Sequence, residues 1–144
     1  CEFELSSNPA CTTATFLGSV SGDTGGGQII TTGIGERWFR FRVTENDTGL
    51  FSVNLSARIS LTSPDGANYR LEVICTQCGG SATLFDNAAA GGTDTMVIGA
   101  NDDFFADDSF DVLVKVRFVS GSSSQNWSLT VQGNAAGPVN LFCN

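Results

Sequence analysis

The sequence predicts an all-β fold, an antiparallel two-sheet β-sandwich that contains disulfide bonds. Apolar and polar residues alternate with a period of two over several runs, and no run sustains the 3.6-residue period of a helix. Glycine-rich and Ser/Asn/Asp-rich turns separate these runs, and five cysteines are spread over the 144 residues. The length fits a single domain that spans residues 1–144.

The clearest predicted strand runs from Phe51 to Leu61. Its odd-numbered residues are apolar and fall on one face, whereas Ser, Asn and Arg fall on the other, as in a strand with one buried and one wet face. Shorter alternating runs predict further strands at Trp38–Val43, Tyr69–Cys75, Asp111–Val119 and Trp127–Val131, with weaker ones at Thr15–Val20, Gln28–Thr32, Ala82–Phe85 and Thr95–Ile98. About seven to nine strands require two packed sheets, because one sheet alone would leave an apolar face in water.

Composition disfavours several classes of function. The net charge of −8 repels phosphate backbones and anionic lipid, so we expect neither a nucleic-acid partner nor membrane insertion. No apolar run approaches the roughly 18 residues that a membrane span needs. The chain has no histidine, which excludes Ser-His-Asp and Cys-His catalysis and His-ligated zinc.

The five cysteines predict disulfides and therefore an oxidising, extracellular setting. The short spacing of Cys75 and Cys78 favours a disulfide that closes a tight loop at a strand end, over a redox motif or half of a zinc site. We expect Cys143 to pair with Cys1 or Cys11. The odd cysteine is then free, paired with another chain, or the lipid-bearing first residue Cys1 of a lipoprotein.

Six stretches between residues 12 and 134 carry a resemblance to a known family: Leu17–Asp23, Gly35–Val43, Ser63–Val73, Cys75–Ser81, Asp107–Val112 and Asn126–Val131. They resemble the pre-peptidase C-terminal (PPC) domains of secreted bacterial proteins. The resemblance implies a jelly-roll-like sandwich attached to secreted hydrolases or surface proteins, which assists secretion, binds insoluble polymers or acts as a spacer.

An acidic stretch between residues 101 and 111 is a candidate calcium site. Carboxylates this close in sequence repel one another unless a cation or hydrogen bonds intervene, and calcium prefers six to eight oxygen ligands. The alternative is a solvated acidic loop held by side-chain-to-backbone hydrogen bonds. The candidate ligands are Asp102, Asp103, Asp107, Asp108 and Asp111.

The strand at residues 38–43 offers a candidate binding surface. Trp38, Arg40 and Arg42 share the face opposite Phe39 and Phe41, and an exposed Trp/Arg strip suits stacking on sugars or docking on protein. The alternative is that Trp38 is a core residue and the phenylalanines face the loops.

The leading functional hypothesis is a non-catalytic extracellular accessory domain of PPC type. It attaches a secreted or surface protein to an extracellular polymer, or acts as a stable spacer. One alternative is a self-assembling subunit of a filament or surface layer, which joins copies through the odd cysteine, the apolar stretch around Phe3 or the tail Val139–Cys143. Another is a carbohydrate-binding module that uses Trp38. A carboxylate-pair glycosidase is disfavoured, because the acids cluster in one loop.

Overall fold

The computed structural model describes residues 10–25, 27–47, 53–75, 78–86, 88–103 and 105–143. One short 3-10 turn, Cys11–Thr13, precedes the strands, and no helix of the described part is long and apolar enough to cross a membrane. The strands are β1 (Thr15–Ser21), β2 (Gln28–Gly33), β3 (Arg37–Thr44), β4 (Leu55–Thr62), β5 (Ala67–Ile74), β6 (Thr83–Phe85), β7 (Thr93–Ala100), β8 (Phe110–Gly121), β9 (Trp127–Gly133) and β10 (Leu141–Phe142).

Two five-stranded sheets pack face to face, which confirms the predicted β-sandwich. The first sheet has the strand order β1-β3-β8-β5-β6 and the second has the order β10-β7-β4-β9-β2. Strands β2 to β5 alternate between the sheets, β5 and β6 form an antiparallel pair in the first sheet, and β6 to β9 alternate again. These eight strands have the connectivity of a jelly roll, and all their pairings are antiparallel.

Two edge strands depart from the predicted antiparallel arrangement. Strand β1 pairs with β3 in parallel, and β10 pairs with β7 in parallel. A parallel pair needs a crossover connection, which β2 provides in the other sheet for β1 and β3. The described ends of the chain therefore each add one strand to the outside of the jelly roll.

The two-residue period places the core between the sheets. On β4, Leu55, Ala57, Ile59 and Leu61 are fully buried, and on β8 the inward residues are Val112, Val114 and Val116. Trp127 of β9 is the largest fully buried side chain; its indole N–H donates to the Gly35 carbonyl at 2.9 Å, and its ring meets that of Phe39 edge to face. Burial of an aromatic ring with its polar atom satisfied makes this the anchor of the core.

The nine predicted strands all occur, with one boundary wrong by four residues and the others by at most two, and a tenth strand was not predicted. The strand predicted at Phe51–Leu61 begins at Leu55. Val53 is 41% exposed, and its N–H donates to a carboxylate of Asp102 rather than to a sheet partner. Phe51 lies outside the described residues. The two residues of β10 are too few to show a period in the sequence.

The structure corrects the predicted disulfide pairing while using the same four cysteines. Cys11 pairs with Cys78 and Cys75 pairs with Cys143, so the predicted Cys75–Cys78 loop and the pairing of Cys143 with Cys1 or Cys11 were wrong. Cys75 follows β5 of the first sheet and Cys143 follows β10 of the second, with their Cα atoms 4.9 Å apart. That disulfide therefore links the two sheets. Cys1 and the stretch around Phe3 lie outside the described residues.

The close approach of Gly33 to the Trp127 ring leads to a prediction about the stability of the core. A Cβ atom at Gly33 would lie 2.6 Å from Cζ2 of the Trp127 ring, so Gly33→Ala forces the buried indole to move. We expect the free energy of unfolding to fall by about 1–3 kcal/mol, the usual cost of overpacking. Denaturant unfolding measures the change, with Thr32→Ala on the exposed side of the same strand as the control. Equal losses in the two variants would contradict the steric explanation.

Candidate functional site

The outer face of the first sheet gathers most of the chain's cations. Because β3, β8 and β5 bury alternate residues, their remaining side chains form one continuous solvent-facing surface, which we call the arginine face. Its members are Trp38, Arg40 and Arg42 of β3, Asp111, Leu113, Lys115 and Arg117 of β8, Arg70 and Glu72 of β5, and Glu36 just before β3, which pairs with Lys115 and Arg117. The structure thus places the three candidate binding residues on one surface.

The alternative orientation of β3, with Trp38 in the core, is wrong. Phe41 and Val43 are fully buried and Phe39 is 6% exposed, so these residues face the second sheet. Trp38 is half-buried on the opposite side, where the Lys115 ammonium lies 5.5 Å from the centre of its ring. A cation at this distance gives a favourable cation–π contact, which also covers part of the indole.

One end of the arginine face is organised around Asp111. Its two carboxylate oxygens accept hydrogen bonds from Arg42 at 3.1 Å and from Arg40 at 3.3 Å. The guanidinium of Arg40 also lies 4.5 Å from the centre of the Phe16 ring on β1. Asp111 therefore holds two arginines side by side, and its predicted role as a calcium ligand stays a prediction.

The other end is organised around Glu72. Arg70 and Arg117 lie directly opposite each other on β5 and β8, and both donate to the same Glu72 oxygen, at 2.8 and 3.2 Å. Burial raises the pKa of Glu72, but the hydrogen bonds and charges of the two arginines lower it more, so this pKa lies below its ordinary value of 4.5. Glu72 therefore stays ionised and offsets the repulsion between two facing cations.

A shallow depression adjoins the Asp111 end of this surface. Its volume is about 360 Å³, and one wall is the Cys11–Cys78 disulfide. Arg40, Asp111 and Leu113 also line it. Leu113 is only 5% exposed although its position on β8 places it on the outer side of the sheet. The disulfide thus fixes the boundary of the arginine face at this end.

The acidic stretch brings together only two of the five predicted calcium ligands. Asp102 and Asp108 meet Glu45, with one carboxylate oxygen from each within 4.8 Å of the others. We call these three residues the carboxylate cluster. Asp107 instead accepts a hydrogen bond from the Ser109 N–H at 3.0 Å, and the N–H of Asp103 donates to Asp108.

Neighbouring backbone groups hold the carboxylate cluster in place. The N–H of Asp108 donates to Glu45 at 2.8 Å, and the N–H of Val53 donates to Asp102 at the same distance. Three carboxylates with oxygens this close suit calcium, which takes its remaining ligands from backbone carbonyls and water. These contacts equally describe a hydrogen-bonded acidic loop, so calcium binding stays a prediction.

Sequence reasoning missed Glu45 and the residue that positions it. Asp23, in the turn after β1, accepts hydrogen bonds from the N–H groups of Asn46 and Asp47, and so fixes the segment that follows β3. Burial raises the pKa of Asp23, while these backbone donors and Ser21 lower it more, and the net pKa is below 3.8. The signal in the sequence was the acidic turn Glu45-Asn46-Asp47, which marks the end of a strand but not a ligand.

The comparisons with known proteins give no assignment. No protein-family model matches the chain, and no curated protein matches it. The resemblance to PPC domains is therefore neither supported nor contradicted. The two disulfides indicate an oxidising environment of extracellular type.

The carboxylate cluster predicts a calcium-dependent melting temperature. With free calcium about 100-fold above the dissociation constant, binding to the folded state adds about 2.7 kcal/mol of stability. We expect the melting temperature to rise with calcium and to return to its starting value with a chelator. Asp102→Asn should abolish the rise, whereas Asp107→Asn, outside the cluster, should preserve it. The same rise in both variants would contradict this site.

The lowered pKa of Glu72 predicts a loss of stability in acid. Because its pKa is lower in the folded state than in the unfolded state, its contribution is complete above pH 4.5 and is lost as the pH falls below that value. We expect Glu72→Gln to be less stable than the wild type at pH 7 and to show a weaker dependence on pH below 4.5. Asp65→Asn, at an exposed carboxylate in the turn between β4 and β5, changes the net charge equally and is the matched control. If both variants show the same pH profile, the two arginines do not act specifically on Glu72.

Proposed function

We propose that this chain is a non-catalytic extracellular domain of PPC type that attaches a secreted or surface protein to an extracellular polymer. The observation that carries the proposal is the arginine face. It is a surface built on three adjacent strands, with a half-buried tryptophan between two pairs of arginines. Sites on strands hold their side chains more rigidly than sites on loops, and a surface that extends along several strands suits an extended polymer.

The electrostatics of the carboxylates support a binding role over catalysis. A general acid needs a raised pKa, so that it carries a proton near neutral pH. The pKa values of Asp23, Glu72 and Asp107 are all lowered. For Asp107 the causes are the Ser109 side chain and backbone, which both hydrogen-bond to its carboxylate. Lowered values of this kind are typical of structural ion pairs and turn caps.

A spacer role receives support from the covalent connections. Cys11 lies before the first strand and Cys143 after the last, and each is bonded to the end of the β5 region. The first and last strands are thereby fixed to the middle of the chain. A domain with this arrangement resists fraying and suits a position between two larger units.

The two alternative functions have weaker support. Lys115 covers part of the Trp38 ring. A ligand that makes mixed polar and apolar contacts therefore fits this position better than a sugar that stacks on a bare tryptophan, as in many carbohydrate-binding modules. For self-assembly, Cys143 is bonded to Cys75 and is not available for a disulfide between chains. Strand exchange through the tail remains an alternative, since Phe142 is 56% exposed at a sheet edge.

Attachment predicts retention on at least one insoluble polymer. We expect the domain to sediment with cellulose, chitin, collagen or insoluble pectin, and Trp38→Ala to weaken that retention. Ile30→Ala is the matched control, since Ile30 is an exposed apolar residue on the outer face of the second sheet. If Ile30→Ala and Trp38→Ala reduce retention equally, the arginine face is not the binding site. A domain that sediments with none of these polymers would contradict attachment and leave the spacer role.

A further inference from the structure

The charge of the molecule is strongly asymmetric. Five of the seven cations, Arg40, Arg42, Arg70, Lys115 and Arg117, lie on the arginine face. Three carboxylates pair with them there, namely Glu36, Glu72 and Asp111. The face therefore carries +2, whereas the other described residues, with two cations against ten carboxylates, carry −8.

Shared carboxylates leave the guanidinium groups with unused donors. Each arginine has five N–H donors, and a single carboxylate serves two arginines at both ends of the face. The side chains of Arg40, Arg42 and Arg117 are 40–46% exposed. They can therefore accept a second carboxylate or sulfate from solvent while keeping the internal one.

The arrangement of Arg70 and Arg117 also indicates that this face can bind an external anion. Like charges directly opposite each other in a sheet destabilise it, and structural reasons alone favour a neutral or opposite-charge pair at this position. The internal carboxylate Glu72 makes the pair tolerable and holds both guanidinium groups on the same side of the sheet. Two cations fixed in this way form a preorganised site for an external anion.

The spacing of the two arginine pairs favours an elongated ligand. Asp111 and Arg117 are six residues apart on β8, which corresponds to about 20 Å along an extended strand. Trp38 and Lys115 lie between the pairs, at one register position. A small anion reaches one pair, whereas a linear chain with repeated negative charges reaches both and passes over the indole.

We propose that the arginine face binds an acidic polysaccharide, one that bears uronate carboxylates or sulfate esters, laid along β8. This inference rests on the proposed function and names the class of polymer. Charge complementarity selects an anionic ligand, and the pair of Trp38 and Lys115 at the centre offers a sugar mixed polar and apolar contact. The charge of −8 on the other described residues repels polyanions from their surfaces, so binding is confined to this face.

The test uses soluble polygalacturonate as the probe in affinity electrophoresis and calorimetry, with uncharged dextran as the reference polymer. We expect binding to polygalacturonate that weakens as sodium chloride is added, and none to dextran. The double variant Arg42→Gln/Arg117→Gln should bind at least roughly tenfold more weakly, since it removes a charged donor at each end. Arg58→Gln/Arg37→Gln is the matched control, which removes the same charge from cations outside the face. Melting curves verify that both double variants are folded.

Two results would overturn the proposal. If the control variant loses as much affinity as Arg42→Gln/Arg117→Gln, only the net charge matters and the face is not a site. If the domain sediments with neutral cellulose or chitin but does not bind polygalacturonate, the proposed attachment role stands and the proposed acidic class of polysaccharide is wrong. If the domain binds no polymer, both proposals are wrong. Light scattering tests whether the partner is instead a second copy of this chain. Oligomers that dissociate in salt and that Arg42→Gln/Arg117→Gln abolishes would show that the arginine face binds the acidic loop of a neighbouring molecule.

Discussion

Successive side chains of a β-strand point to opposite sides of its sheet, and only one side of each sheet in a two-layer sandwich faces the other layer. In this protein the inner sides are filled by aliphatic residues around Trp127, which has no exposed surface. Packing of Phe39 and Phe41 against that anchor determines the orientation of β3. Trp38, Arg40 and Arg42 are then obliged to face solvent, so the core decides which side chains are available for binding.

The arginine face and the acidic stretch show two ways of keeping like charges together. On the sheet, rigid strands hold two arginines against one carboxylate, and the nearly buried Glu72 remains ionised because both its neighbours are cations. In the loops, carboxylates are held instead by backbone N–H groups, as Asp23 and Asp108 are. The first arrangement leaves cationic donors exposed, and the second leaves carboxylate oxygens close together.

Features that depend on a local period were predictable from the sequence, and features that depend on distant segments were not. Alternation identified nine strands and divided β3 into two faces, because successive side chains of a strand alternate in burial. Which face of β3 is buried was shown only by the structure. It did not reveal that Cys75 meets Cys143, since that pairing requires knowing where β10 lies. The same limit applies to Glu45, which joins Asp102 and Asp108 only after β3 and β8 are paired. The facing arginines of β5 and β8 also needed the register between two strands far apart in the chain.

The two disulfides enclose overlapping lengths of chain, one from Cys11 to Cys78 and the other from Cys75 to Cys143. Every peptide bond between Cys11 and Cys143 therefore lies inside at least one covalent ring. A protease that cuts any single bond in this region opens a ring without separating the two pieces. Outside the cell, a chain nicked once in a surface turn would keep all of its strands and the surface they carry.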